Sequence, residues 1–227
     1  MTDRRPAVVP VAGSVVAVSV VAALVFVAVL WTGWVHHWSW IDRPDTRALD
    51  TAYDMAGTHG WWVPLWNGLS HVFGPGVWRV LVVVPIVLEL RRHRVRVAVF
   101  LAVSVWGSGI VSTVVKQLAD RDRPVTQLVP ASGTSFPSGH ALGVLVAVGA
   151  LLIVYSHLVR RSWRTVIVIL GVLLVIAIGV ARVALNVHHP SDVLAGWALG
   201  YAWLMLCLYL SYLSGFLYRG RYTGSTR

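Results

Sequence analysis

From Ala7 to Val35 the chain carries no charged residue, and five further apolar runs follow it: Val77–Leu90, Val97–Val115, Ala141–Leu158, 165 to about 181, and 193 to about 216. Runs of roughly 18 or more apolar residues are long enough to cross a bilayer. Such runs read as transmembrane helices, and a soluble protein with a very apolar core is the disfavoured alternative. The expected fold is therefore all-α: one membrane domain over residues 1–227 with six transmembrane helices in a bundle. The first run is too long for the apolar part of a signal peptide. It ends in Trp31, Trp34 and Trp38, the aromatic residues that favour a membrane interface. Only 12% of residues are charged, about half the usual share for a soluble domain.

The segment from His36 to Gly76 differs. It holds Asp42, Arg43, Asp45, Arg47, Asp50 and Asp54, then Trp61, Trp62 and Trp66. Leu49, Ala52, Tyr53 and Ala56 have the spacing of one helix face. This predicts an interfacial helix between the first and second spans, followed by an aromatic stretch against the membrane surface. A solvated loop with interface aromatics is the alternative. Gly74-Pro75-Gly76 breaks the chain before the second span, which is short and begins a little before Val77. Glu89 stands near the basic turn of Arg91, Arg92, Arg94 and Arg96 and is placed to pair with it.

The net charge is +10, and Arg supplies 18 of the 19 basic residues. These residues cluster in short turns between apolar runs, so they read as topology signals and contacts with the bilayer surface, not as a nucleic-acid site. Twelve lie on the side of the two termini and the turns 91–96 and 160–164. Seven lie on the other side: Arg43, Arg47, Arg79, Lys116, Arg121, Arg123 and Arg182. The positive-inside rule then places both termini, including residues 1–6 and 220–227, in the cytoplasm, and the 117–137 loop and the 182–192 connection on the extracytoplasmic side of the cell membrane. The single cysteine, Cys207, lies in an apolar run and reads as a buried thiol.

Three polar clusters fall on that outer side, each at a helix end: Lys116-x6-Arg123-Pro124, Pro137-Ser138-Gly139-His140, and Arg182-x5-His188-x3-Asp192. The second stands where a polar loop meets an apolar run. Free N–H groups and the positive end of the dipole there make a helix start a ready anion site. Three cations beside a low-dielectric membrane need an anion or water, and with those N–H groups they suit a phosphate. His188 and Asp192 are one helical turn apart. A carboxylate on one imidazole nitrogen fixes the tautomer and leaves the other nitrogen free to attack. His189, three residues from Asp192, is the rival, and spacing gives His188 only a modest edge. Each cluster also has a structural reading. Lys116 and Arg123 could be interface anchors, Ser138 a helix cap, and His188 with Asp192 a satisfied polar pair. A metal on His140, His188 and Asp192 is disfavoured by the three nearby cations and the lack of Cys or further carboxylates in the clusters.

Together the clusters resemble the signature of the type 2 phosphatidic acid phosphatase superfamily of membrane phosphatases, K-x6-R-P, P-S-G-H and S-R-x5-H-x3-D, with motifs shared by vanadium haloperoxidases. Order, spacing and the six-span layout agree over about residues 40–215. Ala181 stands where the motif has Ser, so a supporting hydrogen bond is expected to be missing. The resemblance favours His188 over His189 as the nucleophile. It implies a phosphohistidine on His188, oriented by Asp192. His140 is then the acid and base, and Lys116, Arg123, Arg182 and the backbone near Ser138 and Gly139 hold the phosphoryl group. No metal or other cofactor is required. The implied activity is hydrolysis of a membrane lipid phosphate at the outer membrane face: phosphatidic acid, phosphatidylglycerol phosphate or polyprenyl diphosphate. A phosphotransferase with a lipid or sugar hydroxyl as acceptor is the alternative. Soluble haloperoxidases are disfavoured by the six spans, and a transporter or assembly factor with a dead site by the presence of His140, His188 and Asp192.

Overall fold

The computed structural model describes residues 13–213. The expected starts and ends of the outermost spans, residues 7–12 and 214–216, and the two ends expected in the cytoplasm lie outside them. Among the described residues every regular element is helical: α1 (Gly13–Val35), α2 (Ser39–Thr58), α3 (Trp62–Val72), α4 (Pro75–Leu81), α5 (Val83–Arg91), α6 (Val95–Ala119), α7 (Gly139–Tyr155, continued by a 3-10 turn), α8 (Arg161–Ala184) and α9 (Pro190–Leu213). Six stretches are long and apolar enough to cross a membrane: α1, α3 to α5 taken together, α6, α7 with its turn, α8, and α9. Their outward faces are apolar as well, with Val18, Val80 and Ile110 each more than two-thirds exposed. A helix that is hydrophobic all round has lipid on its outer side. The chain is a multi-pass membrane protein.

α7 is the central helix. It packs on α9, α6, α8 and α4, and Ala141, Leu142, Val144, Val146, Ala147 and Ala150 on it are fully buried. The Gly196 and Gly200 pair of α9 lies along it. A Cβ on Gly196 would come 2.6 Å from the Ser138 carbonyl oxygen, and one on Gly200 3.0 Å from that of Leu142. This is the close backbone approach that small residues four apart permit between membrane helices. Glu89, almost fully buried, receives Arg92 at 3.4 Å, Arg94 at 3.6 Å and the Tyr155 hydroxyl at 3.2 Å. The expected pairing with the basic turn is therefore present and ties α5 to α7. Cys207 is buried and free.

Two expectations change. The second span begins at Trp62, not shortly before Val77. It is broken at Gly74 and again between α4 and α5. The aromatic stretch read as lying on the membrane surface is its first turn. The polar residues that masked it have partners elsewhere in the fold: Trp62 Nε1 donates to the Ala184 carbonyl at 2.9 Å, and Ser70 Oγ accepts from Arg182 at 2.8 Å. Arg79 therefore belongs to this span and lies against Gly109 of α6. That leaves six basic residues on the side opposite the termini, which widens the charge asymmetry in its original direction. The helix between the first two spans is present as α2, but its buried stripe is Ile41, Asp45, Leu49 and Ala52, with Tyr53 half exposed. The stripe is rotated because Asp45 has buried hydrogen-bond donors to meet.

Candidate active site

The three motifs meet at one end of the bundle, beside the start of α7. Lys116, in the last turn of α6, donates Nζ to the carbonyls of Thr134 and, at 3.2 Å, Ser135. Arg123 donates to the carbonyls of Gly133 (2.9 Å), Ser132 (2.9 Å) and Val187 (2.7 Å). Its Nη1 also lies 3.3 Å from His188 Nε2. The 117–137 loop is thus folded around Lys116, which precedes it, and its own Arg123, with its carbonyls absorbing part of their charge. Arg182, at the end of α8, is buried. Its Nη1 bonds Ser70, and its Nε has no partner among the described residues.

Ser138 caps α7: its Oγ accepts from the Ala141 N–H at 3.4 Å. Its own N–H is committed to the Asp192 carbonyl at 2.9 Å, so it is not one of the open donors expected near Ser138. The N–H groups of Gly139 and His140 have no partner among the described residues, as the first turn of a helix requires. Gly139 is needed here for space, since a Cβ would reach Ser112 Oγ at 3.0 Å and Lys116 Cε at 3.9 Å. His140 lies beside Gly74, where a Cβ would be 3.4 Å from Nε2.

His188 and Asp192 do not share a helix. α9 begins at Pro190, a favoured residue at a first helical position, and His188 lies in the turn before it. Asp192 reaches back from the third position, and its Oδ2 accepts the His189 N–H at 2.8 Å, the reciprocal bond of a capping box. The same oxygen lies 3.5 Å from His188 Nδ1 and 3.3 Å from His189 Nδ1. Both histidines therefore face the carboxylate, and what separates them is the far side of each ring. His188 is buried with Nε2 toward Arg123, while His189 is partly exposed and lines a polar pocket with Trp34, Asp50, Arg121 and Arg123. Burial pushes the His188 imidazole down to about 4, with the Asp192 carboxylate opposing and Arg182 and Arg123 adding to the fall. At neutral pH the ring is uncharged. Ala181, in the motif's Ser position, is fully buried.

Four residues outside the sequence-read set also join the site: Ser70, Asp45, Arg121 and Ser191. Ser70 bonds Arg182, and the other three form a buried network behind Asp192. Arg121 had been counted only as a loop cation. Its signal in the sequence was a second Arg within the first motif, two residues before Arg123.

The fold is a six-span helical bundle with a cationic cage and two histidines at one end. The chain belongs to the PAP2 superfamily, whose model matches residues 97–215. It is similar to phosphatidylglycerophosphatase B of Bacillus subtilis, 35% identical over 95 residues, which are 40% of this chain and 46% of the relative. It is also similar to undecaprenyl-diphosphatase of Sulfolobus acidocaldarius, 40% identical over 70 residues (31% and 30% of the two chains). A third relative is lipid A 1-phosphatase of Rhizobium johnstonii, 32% identical over 121 residues (48% and 46%). The chain spans about half the length of these relatives or less. Among solved structures, a transmembrane PAP2-type phosphatidylglycerolphosphate phosphatase from Bacillus subtilis superposes with a TM-score of 0.73 at 21% identity, covering 90% of this chain and 99% of that one. This likeness is one of fold.

Proposed function

We propose that the chain is a lipid phosphate phosphatase that works as a single membrane domain and hydrolyses a phosphomonoester or diphosphate of a bilayer lipid through a phosphohistidine. The observation that carries this reading is the placement of a buried, neutral imidazole between a carboxylate and an arginine: Asp192 Oδ2 at 3.5 Å from Nδ1 and Arg123 Nη1 at 3.3 Å from Nε2. Nε2 attacks phosphorus, forming the N–P bond as the bond to the lipid oxygen breaks. His140 gives its proton to that oxygen. The positive charge that develops on His188 is met by Asp192. Lys116, Arg123, Arg182 and the N–H groups of Gly139 and His140 take the charge on the phosphoryl oxygens. In the second step His140 removes a proton from water, the water oxygen bonds to phosphorus, and the N–P bond breaks to return neutral His188.

The charge asymmetry, with the cage on the less basic side, supports an extracytoplasmic site and cytoplasmic termini. The names of the relatives, acting on phosphatidylglycerophosphate, undecaprenyl diphosphate and a lipid A phosphate, support a lipid substrate whose tail remains in the bilayer. Purified protein in detergent with EDTA should release phosphate from phosphatidylglycerol phosphate, undecaprenyl diphosphate or phosphatidic acid. His188→Ala should lose roughly 10³-fold or more in kcat, as for loss of a covalent nucleophile. Full activity in that variant, or strict dependence on a metal, overturns the mechanism.

A further inference from the structure

Behind Asp192 lies a chain of buried charges that the mechanism above does not use. Asp45, Arg121, Ser191 and Asp192 are each less than 5% exposed. Arg121 Nη1 donates to Asp192 Oδ1 at 2.7 Å and to Ser191 Oγ at 2.7 Å, and Nη2 donates to Asp45 Oδ2 at 3.0 Å. The Ser191 N–H donates to Asp45 Oδ1 at 2.9 Å, and its hydroxyl donates to Oδ2. The guanidinium lies 5.2 Å from the centre of the Trp34 ring, a cation–π distance. The network joins α2, the segment after α6 and the first turn of α9, three parts of the chain that are far apart in sequence.

We propose that Asp45 and Arg121 are positioning residues for the catalytic step, holding Asp192 in the orientation and charge balance that His188 needs; this rests on the roles given above to His188 and Asp192. Orientation is fixed at both oxygens. Arg121 holds Oδ1, and the His189 N–H holds Oδ2 at 2.8 Å, so that Oδ2 stays turned toward His188 Nδ1. Charge balance requires Asp45. An arginine paired with Asp192 alone would cancel the carboxylate and weaken its attraction for a cationic imidazole. With Asp45 on the other side of the guanidinium, the Asp45–Arg121–Asp192 group carries one net negative charge. That charge is neutralised when His188 becomes positive on attacking phosphorus. In a water-poor interior this compensation matters more than at a surface. Among the described residues the side chains of Asp45 and Arg121 make no hydrogen bond to Lys116, Arg123, Arg182 or His140, so their route to the reaction runs through Asp192.

The test measures kcat, KM and the inhibition constant for inorganic phosphate for Asp45→Asn, Asp45→Glu and Arg121→Lys. Each is assayed alone and combined with Asp192→Asn, on protein that elutes as a single species with a wild-type melting midpoint. Asp45→Asn preserves volume and its acceptor for the Ser191 N–H, so it is the variant best able to fold. Misplacing a reacting group by about 1 Å can cost on the order of 10²-fold. Asp45→Asn and Arg121→Lys should therefore lower kcat by roughly 10-fold to 10²-fold. KM and phosphate inhibition should stay within about twofold, because only the transition-state interaction is lost. Asp45→Glu, which keeps the charge, should recover part of the loss. In the Asp192→Asn background neither variant should lower the residual rate further, since groups acting as a unit are non-additive. Wild-type kcat in the folded single variants overturns the proposal. So does a weakening of phosphate inhibition equal to the fall in kcat, or the same fold loss with and without Asp192. Wild-type kcat in Asp192→Asn itself would instead overturn the reading on which the proposal rests.

Discussion

Replacing Gly196 with Ala should damage both stability and catalysis, and the size of the effect follows from one contact. A Cβ at 196 would lie 2.6 Å from the Ser138 carbonyl oxygen, 3.1 Å from Ala141 Cβ and 3.4 Å from the Leu142 nitrogen. The first contact is with backbone at the cap of α7, so no rotamer change can relieve it. Ordinary contact begins near 3.4 Å, and the start of α9 must move from the start of α7 by about 0.8 Å to reach it, an overpacking cost of about 1–3 kcal/mol. The same two segments are joined by the Ser138 N–H to Asp192 carbonyl bond at 2.9 Å. The displacement therefore separates Asp192 and His188 from the Gly139 and His140 donors. A shift near 1 Å between reacting groups corresponds to roughly a 10²-fold fall in kcat/KM. Gly149→Ala is the control. Its Cβ would also meet an atom at 2.6 Å, but that atom is Leu204 Cδ2, the end of a flexible side chain. It should melt within a few degrees of wild type and keep its activity. The assay is phosphate release from a lipid phosphate in mixed micelles, paired with thermal unfolding followed by tryptophan fluorescence. Wild-type activity and melting in Gly196→Ala, or an equal loss in Gly149→Ala, would refute the reasoning.

Two further outcomes follow from the cage. His188 is depressed to about 4 in the folded chain against about 6.5 unfolded, so the native state binds fewer protons at this site than the unfolded one. Its contribution, about 3 kcal/mol at most, is fully present above pH 6.5 and is lost as pH falls from 6.5 toward 4. Melting midpoints taken across that window should fall less steeply for His188→Gln than for wild type, and identical slopes would contradict the depressed value. Arg123→Lys keeps a positive charge but cannot reach the Ser132, Gly133 and Val187 carbonyls and His188 Nε2 together. It should lower kcat by roughly 10²-fold, the scale for losing one charge-stabilising donor. Restoration to wild-type turnover by lysine would mean that the fork geometry is unimportant.

The six spans and the three motifs were legible because both signals are local. An apolar run declares itself within 20 residues, and the spacing of Lys116 to Arg123, or of His188 to Asp192, is fixed by one loop or turn. The second span was legible only in its second half. Its first half carries Trp62, Asn67, Ser70 and His71, which lower the apolar signal. Ser70 and Trp62 are acceptable there because Arg182 and the Ala184 carbonyl, more than 100 positions later, satisfy them. No window on the sequence contains both partners. The choice between His188 and His189 was hidden for a different reason. Both rings sit near Asp192 Oδ2, at 3.5 and 3.3 Å, so spacing to the carboxylate could not separate them. What separates them is what the opposite nitrogen faces, and that depends on Arg123 reaching across the turn from the other motif.

Asp45 is the sharpest case. In the sequence it is one of six charged residues in a segment that reads as an interfacial helix or a solvated loop, and its neighbours Asp42, Asp50 and Asp54 are at least partly exposed. A fully buried carboxylate is costly unless donors surround it, and here Arg121 and Ser191 supply three. Those donors sit at Asp45 because α2 is pressed against the start of α9, and α2 is held there by contacts made from both ends of the chain. Asn186, in a left-handed turn, reaches the Leu49 carbonyl at 3.0 Å and Thr126 Oγ1 at 2.9 Å. Trp34 at the end of α1 lies over Arg121. The helix between the first two spans is therefore a wall of the site and not a surface appendage. Loosening it, by Asn186→Ala for example, should lower turnover while leaving every residue of the three motifs in the sequence. A chain that carries all three motifs but lacks the partners that seat α2 would be expected to bind phosphate and turn over slowly.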